Sequence, residues 1–128
     1  MVRRVYDVKD GPKAVGPYSI AAGYGDLLFV SGQIPMVPET GEILRDAPIT
    51  EQANQCLKNL KKVLEGCDSS LENVMKCRIY ITDMSQFSVL NEVYAGYFKE
   101  DPPARAVVEV SGLPKGVDVE IEAVAVKG

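Results

Sequence analysis

Histidine and tryptophan are both absent from the 128 residues. Without histidine there is no imidazole general base, no Ser-His or Cys-His nucleophile pair and no imidazole metal ligand. Cysteine is scarce: Cys56, Cys67 and Cys77 fit neither a disulfide framework nor a paired metal motif. Zinc would need thiolates and carboxylates drawn from separate elements, so no metal and no cofactor is expected. Cys56 and Cys77 read as small buried hydrophobes. No apolar run nears the ~20 residues that span a bilayer. The opening Met1-Val2-Arg3-Arg4-Val5-Tyr6-Asp7 lacks the apolar stretch of a secretory signal. A cytoplasmic location with no membrane partner is expected. A basic stripe is missing too: net charge is −4, and Lys58, Lys61 and Lys62 fall on the polar side of a helix. That weighs against nucleic acid as a partner.

What remains is ordinary globular composition, 46% hydrophobic and 25% charged, in one domain covering 1–128. Val2 to Val8 reads as a short strand. Tyr18 to Tyr24 and Leu27 to Gly32 read as a hairpin turning at Gly25-Asp26. Ala53, Cys56, Leu57, Leu60, Val63 and Leu64 form one helical stripe. Thr50 is the expected N-cap and Gly66 the expected left-handed C-cap. Ser69-Ser70-Leu71-Glu72 has capping-box spacing for a single turn. Met75 to Thr82 alternates as a half-buried strand, with Cys77, Ile79 and Ile81 on one side. Phe87, Leu90, Tyr94 and Phe98 stripe a second helix, capped by Asp83 or Ser85 and ended by Pro102-Pro103. The order β-β-β-α-β-α-β-β predicts a two-layer α+β domain, one mixed sheet with two helices on one face.

The last two runs, Ala104 to Val110 and Val117 to Val124, alternate with period two. The turn-rich Ser111-Gly112-Leu113-Pro114-Lys115-Gly116 between them predicts an antiparallel hairpin. That hairpin would place Arg105, Val107 and Glu109 on one face with Asp118, Glu120 and Glu122. Two readings of that face stand. One is a cross-strand ion pair of Arg105 with Glu120 or Glu122. The other is a small-molecule site in which the guanidinium grips a carboxylate and a Glu positions water. On the last strand Val119, Ile121, Ala123 and Ala125 should meet the helices. Val124 and Val126 then stay uncovered beside Glu120 and Glu122. A half-apolar uncovered face points to a homo-oligomer with clefts between subunits.

In chain order, Gly16-Pro17-Tyr18-Ser19, Val30-Ser31-Gly32-Gln33-Ile34-Pro35 and Thr40-Gly41-Glu42-Ile43 are followed by Asn91-Glu92-Val93-Tyr94 and Pro103-Ala104-Arg105. Leu113-Pro114-Lys115-Gly116-Val117 and Val119-Glu120-Ile121-Glu122-Ala123 complete the set. This series resembles the RidA (YjgF/YER057c/UK114) family over nearly the whole chain. The resemblance implies a trimer of chorismate-mutase-like subunits whose sheets line a central barrel. It implies cofactor-independent hydrolysis of 2-imino acids, such as 2-iminobutanoate and 2-iminopropanoate, to 2-keto acids and ammonia. The alternative is a non-catalytic binder of 2-keto or amino acids. Ribonuclease activity, which suits a chain without histidine or a basic stripe poorly, and holdase activity are further rivals.

The resemblance also implies roles. Arg105 would hold the substrate carboxylate and Glu120 would position or deprotonate the attacking water, with Glu122 its lesser candidate. Tyr18, Ser31, Gly32, Asn91, Tyr94 and Val107 would line the cleft. Structural readings stand beside these: Tyr18 or Tyr94 as core tyrosines, Ser31 as a strand-end serine, Glu120 as a solvated carboxylate. Two positions depart from the family pattern. Ile20 stands where the family commonly has Gln, and Val107 where it often has Cys, so no thiol chemistry is available at that position.

Overall fold

The computed structural model describes residues 2–128. The chain runs β1 (Arg4–Tyr6), β2 (Ala21–Tyr24), β3 (Leu27–Gln33), α1 (Ile49–Gly66), β4 (Val74–Ile81), α2 (Phe87–Tyr97), β5 (Ala104–Glu109) and β6 (Val119–Val126), with single 3₁₀ turns before β4, α2 and β6. The six strands form one mixed sheet in the order β1-β2-β3-β6-β4-β5. The expected element order and class are observed. β2 and β3 join through the two-residue turn Gly25-Asp26, where Gly25 takes φ 60° without a Cβ penalty.

Alternation decides which face is covered. In β6, Val119, Ile121, Ala123 and Ala125 are buried while Glu120, Glu122, Val124 and Val126 are not. The stripe of α1 packs its Ala53, Cys56, Leu57, Leu60, Val63 and Leu64 into one core with those β6 residues, Cys77, Ile79 and Ile81 of β4, and Leu90 and Tyr94 of α2. The other face carries exposed Val5, Leu27 and Phe29. The register Val5↔Ala22↔Phe29↔Val124 aligns Val5 and Phe29 in one row across β1, β2, β3 and β6, and Leu27 pairs with Val126 beside it.

Three local expectations are corrected. Helix α1 begins at Ile49 after Pro48, so Thr50 lies inside its first turn and gives no side-chain cap. Proline fits there because its missing N–H is one the helix start leaves unpaired anyway. Gly66 is inside the helix rather than beyond it. The left-handed residue is Asp68, φ 61°, and a Cβ at Gly66 would stand 2.7 Å from Val8 Cγ1. The turn after Ser70 forms, but no capping side-chain bond accompanies it. Ser69 Oγ donates instead to Val126 O at 2.7 Å, tying the turn to the end of β6.

The largest correction concerns the end of the chain. β5 and β6 are not a hairpin: β4 lies between them, antiparallel to β6 and parallel to β5. The segment β4-α2-β5 is a strand–helix–strand crossover, which yields a parallel neighbour. After it, the loop 110–118 carries the chain back past β4 to the open edge of β3. The register Cys77↔Arg105 and Ile79↔Val107 turns Arg105 and Val107 to the helix-covered side. Tyr80↔Glu120 and Arg78↔Glu122 put both glutamates on the uncovered side.

Candidate functional site: two half-sites on opposite faces

Residues expected to act together are thus divided between the two faces of the sheet. The first group lies where α2 crosses the edge strand β5. Arg105 Cζ sits 4.8 Å from the Tyr94 ring centroid and 5.6 Å from that of Phe87. The ion-pair reading of Arg105 fails, because Glu120 and Glu122 face away across the sheet. Among the described residues no carboxylate pairs with the guanidinium. Tyr94 is buried at 6% exposure, so it is a core tyrosine, yet its hydroxyl has no hydrogen-bond partner among the described residues. The Cys77 thiol lies beside it and is a weak hydrogen-bonding group. Burial pushes the Tyr94 hydroxyl pKa up, and the Cys77 thiol adds to that rise. Asn91, three residues earlier on the same helical face, holds a buried Oδ1 that is also unpartnered. Half-buried Val107 lies two residues along β5 from Arg105, on the same face. The first half-site therefore combines a cation without a carboxylate partner with two polar groups whose hydrogen-bonding capacity is unspent.

The second group is on the uncovered face. A bulge between Val30 and Gln33 breaks the β3–β6 ladder beside Glu120. There the Glu120 carboxylate occupies the space a side chain at Gly32 would take: a Cβ at Gly32 would lie 2.7 Å from Glu120 Cδ. Gly32 is required by this close approach rather than by its backbone angles. Ser31 Oγ donates to Ser19 O at 2.6 Å, and Ser31 N–H donates to Ile20 O. Ser31 thus pins the loop carrying Tyr18, whose hydroxyl accepts from Val15 N–H at 3.1 Å. Tyr18 is 44% exposed and is not a core tyrosine. Ile20, by contrast, is buried in the core.

Burial raises the Glu120 pKa, and the like charge of Glu122 raises it further. Glu122 accepts a hydrogen bond from Tyr80 OH across the β4–β6 pair, at 2.5 Å. Asp118 and Glu109, grouped with them by the hairpin expectation, do other work. Asp118 accepts from Gln52 Nε2 at 3.0 Å and from Thr82 Oγ1, while Gln52 Oε1 accepts Asp118 N–H, which fastens α1 to the start of β6. Glu109 accepts Met84 N–H at 2.7 Å, at the turn before α2.

A carboxyl whose pKa is raised in the fold binds its proton more tightly when folded than when unfolded. Stability from this source is largest below the unfolded pKa and falls as pH rises through the folded one. Glu120→Gln is therefore expected to melt at higher temperature than wild type at pH 7 to 8. The gap should close as pH falls toward about 4, the ordinary Glu pKa. Thermal midpoints across that range test this, and a gap independent of pH would contradict it.

Two surface concavities are prominent, and neither includes Arg105 or Glu120. One of about 540 Å³ lies between the C-terminal turns of α1 and α2, beside Lys61, Glu65 and Tyr97. Another of about 400 Å³ lies at the start of α1 beside Asp118 and Thr82.

This geometry defines a class: a small α+β domain with one sheet face covered by two helices and candidate polar groups on both faces. The family model described as Endoribonuclease L-PSP matches residues 8–127. A RutC family protein of Pyrococcus horikoshii is 48% identical over 126 residues, 98% of this chain and 99% of that one. The human 2-iminobutanoate/2-iminopropanoate deaminase is 40% identical over 128 residues, all of this chain and 93% of its own. The solved structure of Escherichia coli TdcF with bound serine superposes with a TM-score of 0.91 at 38% identity, covering 98% of this chain and 99% of that one. The chain belongs to the RidA (YjgF/YER057c/UK114) family.

Sequence reasoning missed two things here. It put Phe87 in the core stripe, although Phe87 is 37% exposed and lies against Arg105. It also placed Arg105 and Glu120 on one face. The strand–helix–strand pattern of residues 74–109 was the available signal for parallel pairing of β4 with β5, and hence for opposite faces.

Proposed function

We propose that the protein is a cofactor-independent 2-iminobutanoate/2-iminopropanoate deaminase acting as a homotrimer, with each cleft built from the first half-site of one subunit and the second half-site of its neighbour. The observation that carries this reading is the Arg105 guanidinium, held against aromatic rings with no carboxylate partner among the described residues. A planar fork in that state suits the carboxylate of a 2-imino acid. Identity to the human deaminase along the whole chain supports the substrate class. The exposed apolar row on the uncovered face supports assembly through that face.

In this reading Arg105 fixes the substrate carboxylate, and Asn91 and Tyr94 offer hydrogen bonds beside it. Val107 shapes the floor. The neighbour's Glu120 takes a proton from water as the oxygen bonds to C2 of the protonated imine. The C=N π pair moves to nitrogen and gives a tetrahedral carbinolamine. Glu120 then returns its proton to nitrogen, a hydroxyl lone pair forms the C=O as the C–N pair leaves with ammonia, and the hydroxyl proton passes back to Glu120, leaving the 2-keto acid. A Glu pKa raised by burial improves both transfers at neutral pH. Gly32 and Ser31 set the wall under Glu120, and Tyr18 closes the side.

The bound serine of TdcF favours one second reading, a non-catalytic binder of amino or keto acids at the same cleft. Ribonuclease chemistry, suggested by the family model's description, has less support: the chain lacks histidine and carries net charge −4. The discriminating experiment couples the protein to a threonine or serine dehydratase and follows decay of the semicarbazide-trappable imine. Accelerated decay is expected. Decay at the uncatalysed rate, with keto-acid binding intact, would leave the binder.

A further inference from the structure

We propose that Phe87 is a positioning residue of this site: with Tyr94 it clamps the Arg105 guanidinium between two rings and so aims the fork that receives the carboxylate. The inference rests on the deaminase reading and adds a residue that neither the motif pattern nor the helix periodicity assigned to the site.

Three observations carry it. Phe87 and Tyr94 are seven residues apart on α2, two turns along the same face, a rise of about 10 Å. One guanidinium fits between side chains so spaced, and Arg105 Cζ lies within 5.6 Å of both centroids. Secondly, Phe87 is not part of the core: it is 37% exposed and absent from the hydrophobic cluster that takes in Leu90, Tyr94 and Phe98 of the same helical stripe. Its position beside Arg105 is therefore not a by-product of core packing. Thirdly, no carboxylate among the described residues orients the guanidinium. An arginine reaching from an edge strand has several rotatable bonds and loses considerable entropy on being fixed. A ring face constrains such a group through its quadrupole while using none of its N–H donors. All five donors stay available to substrate, which an ion pair would have prevented.

The distances also divide the labour. Tyr94, closer and buried, is held by the core and supplies a fixed wall. Phe87, farther and half open, is the wall that a substitution can remove without opening the core. Since Arg105 would grip the carboxylate equally in ground and transition states, loss of aim should appear mainly in KM.

The test uses the full chain and 2-ketobutanoate, the keto-acid product, as a probe of carboxylate binding by isothermal titration. Arg105→Ala should abolish measurable binding. Phe87→Leu keeps apolar bulk and loses the ring, and its Kd should rise about three- to tenfold, in line with a cation–π contact at a partly exposed site. Phe87→Tyr keeps the ring and should stay within about twofold of wild type. KM for the dehydratase-generated imine should follow the same order with kcat little changed, and thermal midpoints should not. A Phe87→Leu that binds like wild type, while Arg105→Ala does not bind, would overturn the role of Phe87 and leave the deaminase reading standing. An Arg105→Ala that binds like wild type would overturn both.

Discussion

Arg105→Ala and Glu120→Gln should each be close to inactive alone, yet an equimolar mixture unfolded and refolded together should recover about a quarter of wild-type imine hydrolysis. The single losses follow from the chemistry. Removing the guanidinium deletes a charge-assisted bidentate contact, and removing a general base commonly costs about 10²–10⁴ in rate. The recovery follows from the register. Arg105 is on the helix side of the sheet with Cys77, and Glu120 on the other side with Tyr80. No side-chain rotation within one subunit carries either through the sheet, so a substrate touched by both must lie between subunits. In a mixed closed ring, a cleft works when its Arg105 comes from the Glu120→Gln chain and its Glu120 from the Arg105→Ala chain. Random assembly satisfies both conditions in about one cleft in four. Absence of recovery, with mixed assemblies verified by mass spectrometry, would sink the shared cleft. Wild-type kcat/KM in either single variant would remove that residue from the mechanism.

The same register explains what could be read in advance and what could not. Alternation in β6 and the stripe of α1 are local patterns, and both sort residues to the observed faces. Val124 and Val126 beside Glu120 and Glu122 were enough to suggest an uncovered face. Strand neighbours are not local. The turn residues between β5 and β6 suit a hairpin, but the crossover of α2 pairs β5 with β4 first. β6 then takes the central position, where it pairs on both edges, with β3 and with β4. That one exchange moves Arg105 to the opposite side from Glu120. Asn91 and Tyr94 were located by motif. Their significance, buried oxygens without partners among the described residues and, for Tyr94, a ring against the Arg105 guanidinium, depends on packing between α2 and the sheet and emerges only from the fold. Gly32 was expected to line the cleft. What approaches it is the Glu120 carboxylate.

Gly32→Ala should therefore be severe for catalysis and mild for stability. A methyl at position 32 would overlap Glu120, with its Cβ 2.7 Å from Cδ and 3.0 Å from Cγ. Neither backbone nor core atoms are among those nearest neighbours. The obstructing group is the flexible end of a half-buried side chain, so the strain is relieved by swinging Glu120 away. Gly32 does not take a positive φ, so alanine meets no backbone penalty there. The displaced carboxylate loses its place over β3, and an error of about 1 Å in a catalytic group can cost about 10²-fold. Accordingly kcat should fall by about that factor, 2-ketobutanoate should still bind through Arg105, and the melting temperature should stay near that of wild type. Pairing Gly32→Ala with Glu120→Gln separates this account from a general disturbance of the cleft. If Gly32 acts through Glu120, the double variant should be no slower than Glu120→Gln alone. Multiplied losses would mean that position 32 contributes something of its own, and unchanged turnover in Gly32→Ala would mean that the observed Glu120 position is not the working one.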